Sequence, residues 1–121
     1  MVIHEASENY LEAILVLSNN NDHVRAVDIC NYFGFSRPTV SAAIKQYKAE
    51  GFINVDENNF ITLTDDGLAI AKKIYEKHQV IAKILMSVGV KDETAYADAC
   101  KIEHDLSDES FYALKRHFSF K

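Results

Sequence analysis

Two short amphipathic segments joined by Gly34-Phe35-Ser36, with two short β-rich runs close behind, most restrict what this chain can fold into. Residues 26–33 have helical spacing, and Gly34 stops them because glycine readily takes the left-handed conformation that ends a helix. Ser36 can accept from the free amides of a following helix, and Pro38 is tolerated in a first turn, where its missing N–H has no helical partner to lose. That helix runs through Val40, Ile44 and Tyr47 to Gly51. Phe52-Ile53-Asn54-Val55 and Phe60-Ile61-Thr62-Leu63 then alternate at least in part and flank the polar Asp56-Glu57-Asn58-Asn59, which predicts a hairpin. Helix, tight turn, helix and hairpin describe a winged helix-turn-helix. Its expected core is Ile29, Phe33, Phe35, Val40, Ile44 and Ile53, with Cys30 a buried small residue where the helices approach.

A DNA-binding reading follows from this arrangement. The second helix of the pair would enter a major groove and read bases from its N-terminal turns. Its exposed candidates are Arg37, Pro38, Thr39, Ser41, Ala42 and Lys45, with Ser36 hydroxyl and helix-terminal amides suited to phosphate oxygens. Arg25 and Lys48 suit flanking phosphates, although Lys48 alone is as well explained by solvation of a helix face. The net charge of −5 argues mildly against a polyanionic partner, but the charges are unevenly distributed. Arg25, Arg37, Lys45 and Lys48 lie in the first half, and Asp92, Glu93, Asp98, Glu103, Asp105, Asp108 and Glu109 in the second. Asp56 and Glu57 would repel phosphate, so the wing is assigned no DNA contact. With so few basic residues a monomer should bind weakly, and a homodimer on a palindromic double-stranded operator is expected.

Outside this region the chain reads as helix. Leu11, Ile14, Leu15 and Leu17 are helically spaced within 7–18, with Ser7 a plausible cap and 19–22 a loop. Thr64 or Asp65 caps a long helix ending near Gly89, with Ala71, Tyr75, His78, Ala82 and Leu85 on one seam. A fifth helix fits 92–104, and Ser107 with Asp108 opens a sixth that ends near Phe118. One proline and four glycines in 121 residues leave little room for a linker. The N-terminus lacks the features of a signal peptide, and no apolar run approaches the ~18 residues of a membrane span. Two cysteines are too few for a disulfide scaffold. These features predict a reduced, cytoplasmic protein with no membrane partner.

Cys100-Lys101-Ile102-Glu103-His104 carries the chemistry of the second half. In a helix, positions three and four apart share a face, so Cys100 projects beside Glu103 and His104 while Lys101 points away. A thiolate, a carboxylate and an imidazole along ~6 Å of helix axis suggest a divalent transition-metal site. An enzyme using Cys100 as nucleophile and His104 as base would need an oxyanion device and an orienting group, and neither is apparent. A structural zinc site would be closed, tetrahedral and needed for folding.

The chain resembles the diphtheria toxin repressor and manganese transport regulator family of metal-dependent transcription factors. The resemblance is carried by Ser7-Glu8-Asn9-Tyr10-Leu11-Glu12-Ala13-Ile14, Ser36-Arg37-Pro38-Thr39-Val40-Ser41, Leu63-Thr64 with Gly67, Lys77-His78, and Asp98-Ala99-Cys100-Lys101-Ile102-Glu103-His104 followed by Ser107. It implies a mainly α fold: a winged helix-turn-helix DNA-binding domain over 1–64, then an all-helical metal-binding and dimerisation domain over 65–121. An SH3-like domain is not expected, nor is the last interface helix of the manganese type. The implied ligands are Glu12, His78, Cys100, Glu103 and His104. Asn9 stands where the manganese type has aspartate and the iron type methionine, and its neutral amide could ligate or hold a water. Cys100 matches the iron type where the manganese type has glutamate. Tyr96 and Ala82 replace the histidine and glutamate of the iron type's ancillary site, which is not expected in its usual form.

Each donor alone also has a plainer role: His78 in a core seam, Cys100 as a small hydrophobe, Glu12 as a cap or lysine partner. A thiolate favours Fe(II), Co(II), Ni(II) or Zn(II) over Mn(II), while Glu12 and Glu103 favour harder ions. The implied corepressor is Fe(II), with Mn(II) next, and the implied output is repression of metal-uptake genes. Ile102, Leu106, Phe111, Leu114 and Phe118 are the expected apolar residues of the dimer interface. The alternative is a winged-helix regulator sensing a small organic ligand, any metal being structural.

Overall fold

A computed structural model describes residues 5–118 and divides into two compact units, one through Lys72 and one from Lys73 onward. The first contains α1 (Glu5–Asn20), α2 (Ala26–Phe33), α3 (Arg37–Ala49), β1 (Ile53–Val55), β2 (Ile61–Leu63) and the opening turns of α4 (Asp65–Ser87). The second contains the rest of α4, α5 (Asp92–Ile102) and α6 (Asp108–Phe118). No described helix is long and apolar enough to cross a membrane.

The helix-turn-helix is fixed by local chemistry. Gly34 takes the left-handed conformation at φ 75°, and its N–H donates to Cys30 O at 2.8 Å. Phe35 N–H reaches the same carbonyl at 3.1 Å. Ser36 then caps α3 by accepting from Thr39 N–H, with Pro38 in the first turn. The strands pair antiparallel with Ile53 opposite Leu63, Asn54 opposite Thr62 and Val55 opposite Ile61. Val24 extends this ladder from the α1–α2 connection, accepting from Ile61 N–H at 2.7 Å. Leu11, Ile14, Val24, Ile29, Val40, Tyr47, Ile53 and Ile61 form the buried centre.

Several residues depart from expectation. Helix α1 runs through Asn19 and Asn20, where the Asn20 amide bonds back to Val16 O at 3.3 Å, so 19–20 continue the helix rather than loop. Ser7 lies inside that helix and is buried. Phe35 is 44% exposed: it stacks on Phe33 at 5.0 Å and covers the core edge with one face only. Cys30 is partly buried against the core. Asp56 is exposed and closes the hairpin turn, its Oδ1 accepting from the amides of Asn58 and Phe60 at 2.9 Å each. At the base of the hairpin, Phe52 O accepts from Thr64 N–H at 3.0 Å, and Gly67 lies so close that a Cβ there would fall 2.0 Å from that oxygen.

In the second unit, Ile81, Ala82, Ala95 and Ala99 form the core, with Leu85, Met86, Val90 and Leu106 packed against it. The expected α4 seam is rotated slightly. Ile74, Lys77, Ile81 and Ala82 are buried, whereas Tyr75 is 38% exposed. The helical period of 3.6 returns to the face at 74, 78, 81 and 85 and leaves 75 on its flank. Ion pairs add to this packing: Lys115 with Glu76, and Lys73 with Asp108 at 2.6 Å. Lys77 also approaches Asp108, at 3.3 Å.

Bonds from Lys73 and then Lys77 hold the Asp108 carboxyl below its ordinary value of 3.8. A depressed carboxylate pKa contributes stability above the unfolded value and loses it as pH falls through the folded one. Asp108→Asn should therefore lower the thermal midpoint at neutral pH and cease to matter in strong acid. A pH-independent difference in melting curves would refute that assignment.

Candidate metal centre

Three potential ligands meet within the second unit. His78 comes from α4, Cys100 from the last turn of α5, and Glu103 is that helix's C-cap. Although α5 ends at Ile102, Glu103 keeps right-handed helical angles and its N–H donates to Ala99 O at 3.0 Å. Glu103 therefore stays one turn beyond Cys100 on the same face, as the spacing implied. His104 falls in the turn that follows. Ala82, Ala95 and Ala99 are all fully buried and pack together where α4 meets α5.

His78 Nδ1 lies 2.9 Å from Glu103 Oε2 and 3.5 Å from Cys100 Sγ. The three donor atoms all fall within 4.8 Å of one another. Typical bonds of ~2.0–2.3 Å to zinc place neighbouring tetrahedral donors ~3.3–3.8 Å apart, a scale comparable with this cluster. The Glu103 side chain is wholly buried; its Oε1 accepts no hydrogen bond among the described residues, although His104 Nε2 lies 3.3 Å away. A buried carboxylate oxygen with spare lone pairs is costly unless a cation or donor satisfies it. The set therefore fits a divalent cation, with a soft sulfur, a borderline nitrogen and a hard oxygen.

Tyr96 was not expected to take part. It lies one turn before Cys100, and its ring stacks on His78 with centroids 5.5 Å apart. Lys77 was also missed as a buried group, because lysine is ordinarily exposed. The only hint was its place beside His78. Asn9 and Glu12 lie three positions apart on one face of α1, both partly buried, in the first unit.

Arg25, Ser36, Arg37, Pro38, Thr39, Ser41 and Lys45 are all exposed. Arg37, Ser41, Lys45 and Lys48 line a cleft of about 290 Å³ whose opposite side includes Val55 and Asn59 of the hairpin. Arg25 is held over the Phe60 ring at 4.6 Å. Of the apolar residues expected at a dimer interface, Ile102 and Leu114 are exposed, and Leu106 and Phe118 are partly buried. Phe111 is 1% exposed and belongs to the interior of its own chain, a correction to its expected placement at the interface. As the fourth residue of α6 it turns inward over Lys77.

A winged helix-turn-helix head joined to helices bearing this donor cluster defines a transcriptional regulator of the metal-dependent class. The sequence profile described as "Iron dependent repressor, metal binding and dimerisation domain" matches residues 64–120. An HTH-type transcriptional regulator of Methanocaldococcus jannaschii is 34% identical over 113 residues, covering 92% of this chain and 90% of that protein. The transcriptional regulator MntR of Escherichia coli O157:H7 is 32% identical over 111 residues, covering 92% of this chain and 72% of that protein. The solved structure of the metal-dependent transcriptional regulator MtsR superposes with a TM-score of 0.87 at 26% identity, covering 95% of this chain and 54% of that one. This chain thus spans about half the length of that structure. It belongs to the iron-dependent repressor family. These relatives are named as transcriptional regulators, and the metal-binding profile and the metal-dependent MtsR favour the metal-dependent reading over one based on an organic ligand.

Proposed function

We propose that this chain represses transcription in response to a divalent metal, binding a palindromic double-stranded operator as a homodimer. The observation that carries this reading is the convergence of His78, Cys100 and the buried Glu103 within 4.8 Å. His104, held against Glu103, is a fourth donor, and Glu12 and Asn9 of α1 are further ones. The Cys100 sulfur favours Fe(II), with Mn(II) second because the carboxylates suit it. When bound, such a cation would supply the positive charge that offsets repulsion between Glu103 and the Cys100 thiolate. Arg37, Pro38, Thr39, Ser41 and Lys45 present the reading face of α3, while Ser36 and Arg25 engage phosphate. Ile102, Leu106, Leu114 and Phe118 supply apolar surface to the dimer.

The test is an anaerobic titration of Fe(II) and of Mn(II) into protein mixed with labelled duplex from its own promoter region. Operator affinity should rise ~5–150-fold with metal, the range of an ordinary allosteric coupling of ~1–3 kcal/mol. DNA binding that is the same in chelator and in saturating metal would reject the switch.

A further inference from the structure

We propose that Lys77 is a positioning residue for the metal centre, clamping the turn that carries Glu103 and His104; this rests on the metal-responsive reading above. Lys77 and His78 are consecutive on α4, so they leave the helix ~100° apart. One backbone thus offers a ligand on one side and an ammonium on the other. The Lys77 side chain is 7% exposed. Its Nζ donates to the Leu106 carbonyl at 3.0 Å and lies 3.3 Å from Asp108 Oδ1. It also lies 5.9 Å from the centre of the Phe111 ring. Burying an ammonium costs several kcal/mol unless its partners are well placed. A role in packing alone would be served as well by methionine.

The position of the clamp matters more than its strength. Between Ile102 and Asp108 the chain leaves α5 and enters α6, outside either helix. Asp105 and Leu106 N–H groups both donate to Ile102 O, which closes the start of this turn on α5. Ser107 Oγ accepts from Ser110 N–H and closes its end on α6. The bond from Lys77 to Leu106 O ties the middle of the turn to α4, the helix bearing His78. Glu103 and His104 are therefore held between the α5 C-terminus and the Lys77 clamp. Their donor atoms keep register with His78 because the same helix supplies both the clamp and that ligand.

Co(II) is the probe, read through its thiolate charge-transfer and d–d absorption bands. Lys77→Met keeps the apolar stem and removes the donor. It should weaken Co(II) binding ~10–100-fold, the usual effect of losing a residue that orients metal ligands. Its d–d bands should change shape, and Lys77→Arg should restore both affinity and spectrum. Wild-type affinity and spectrum in Lys77→Met would overturn the proposal. So would a loss of affinity with unchanged d–d bands and no rescue by arginine, which would mark Lys77 as merely structural. Should Lys77→Met fail to fold, Asp108→Asn loosens the same ammonium from an exposed position. It should lower Co(II) affinity several-fold, and an unchanged affinity would again refute the clamp. Absence of both the thiolate and the d–d bands in the wild-type chain would instead remove the metal-centre reading itself, and the clamp with it.

Discussion

Glu103→Ala is expected to cost at least ~100-fold in Fe(II), Mn(II) or Co(II) affinity, about 2.8 kcal/mol at ~1.4 kcal/mol per tenfold. Even residues that only orient metal ligands are worth 10–100-fold, and Glu103 is proposed as a donor in its own right. One of its oxygens meets His78 and the other faces His104, so its loss removes an anionic ligand and the partner of two imidazoles. Stability in chelator should move the other way. Removing one member of a buried ion pair is destabilising mainly when it strands a charge. Here the groups left behind are two imidazoles, which strand no charge when neutral. Glu103→Met should therefore leave the chelated protein as stable as wild type, or up to about 1–2 kcal/mol more stable. Metal titration and thermal melts in chelator decide the matter together. A variant that keeps wild-type affinity removes Glu103 from the site, and one that falls apart in chelator shows that Glu103 serves the fold rather than a ligand.

Gly67→Ala should give the largest loss of stability from a single methyl group. The new Cβ would sit 2.0 Å from Phe52 O and 3.0 Å from Phe52 C, both backbone atoms that cannot swing aside. That carbonyl already accepts from Thr64 N–H, while Thr64 Oγ1 donates to Gly51 O at 2.7 Å and accepts from Gly67 N–H at 3.1 Å. Relieving the clash means lifting the start of α4 off the hairpin base and breaking this set of bonds. Overpacking ordinarily costs ~1–3 kcal/mol, and a backbone clash belongs at or above the top of that range. For a protein of this size that lowers the melting midpoint by ~10 °C or more. A midpoint within about 2 °C of wild type would show that the approach relaxes freely.

How much of this was legible in the sequence depended on whether one residue or its surroundings decided the outcome. Gly34, Ser36 and Pro38 act within a few bonds of themselves, so the turn and the start of α3 could be read directly. The two strands were placed to within a residue by their alternation. Cys100 and Glu103 could be put on one face because helical period alone fixes their spacing. Phe35, Tyr75 and Phe111 were misplaced because each sits at the edge of a periodic pattern, where tertiary contacts choose between core and surface. Lys77 was invisible for a different reason: its burial depends on a carbonyl 29 positions away, which composition cannot foretell. Asp56 was read only by its charge, and its part in the hairpin turn, where Oδ1 accepts from two amides, needed the fold to show it.

Ala82, Ala95 and Ala99 act as a gauge block between α4 and α5. Larger side chains at these three positions are expected to push His78 away from Cys100, although none of the three carries a donor atom. Interiors are packed densely enough that even one added carbon is felt. The dimensions of the ligand cage, and with them its preference among ions of different radius, are thus open to change at positions that would never be recognised as belonging to it. Exchanging donors between iron-like and manganese-like sets would leave the spacing between the helices, a second influence on the choice of ion, unchanged.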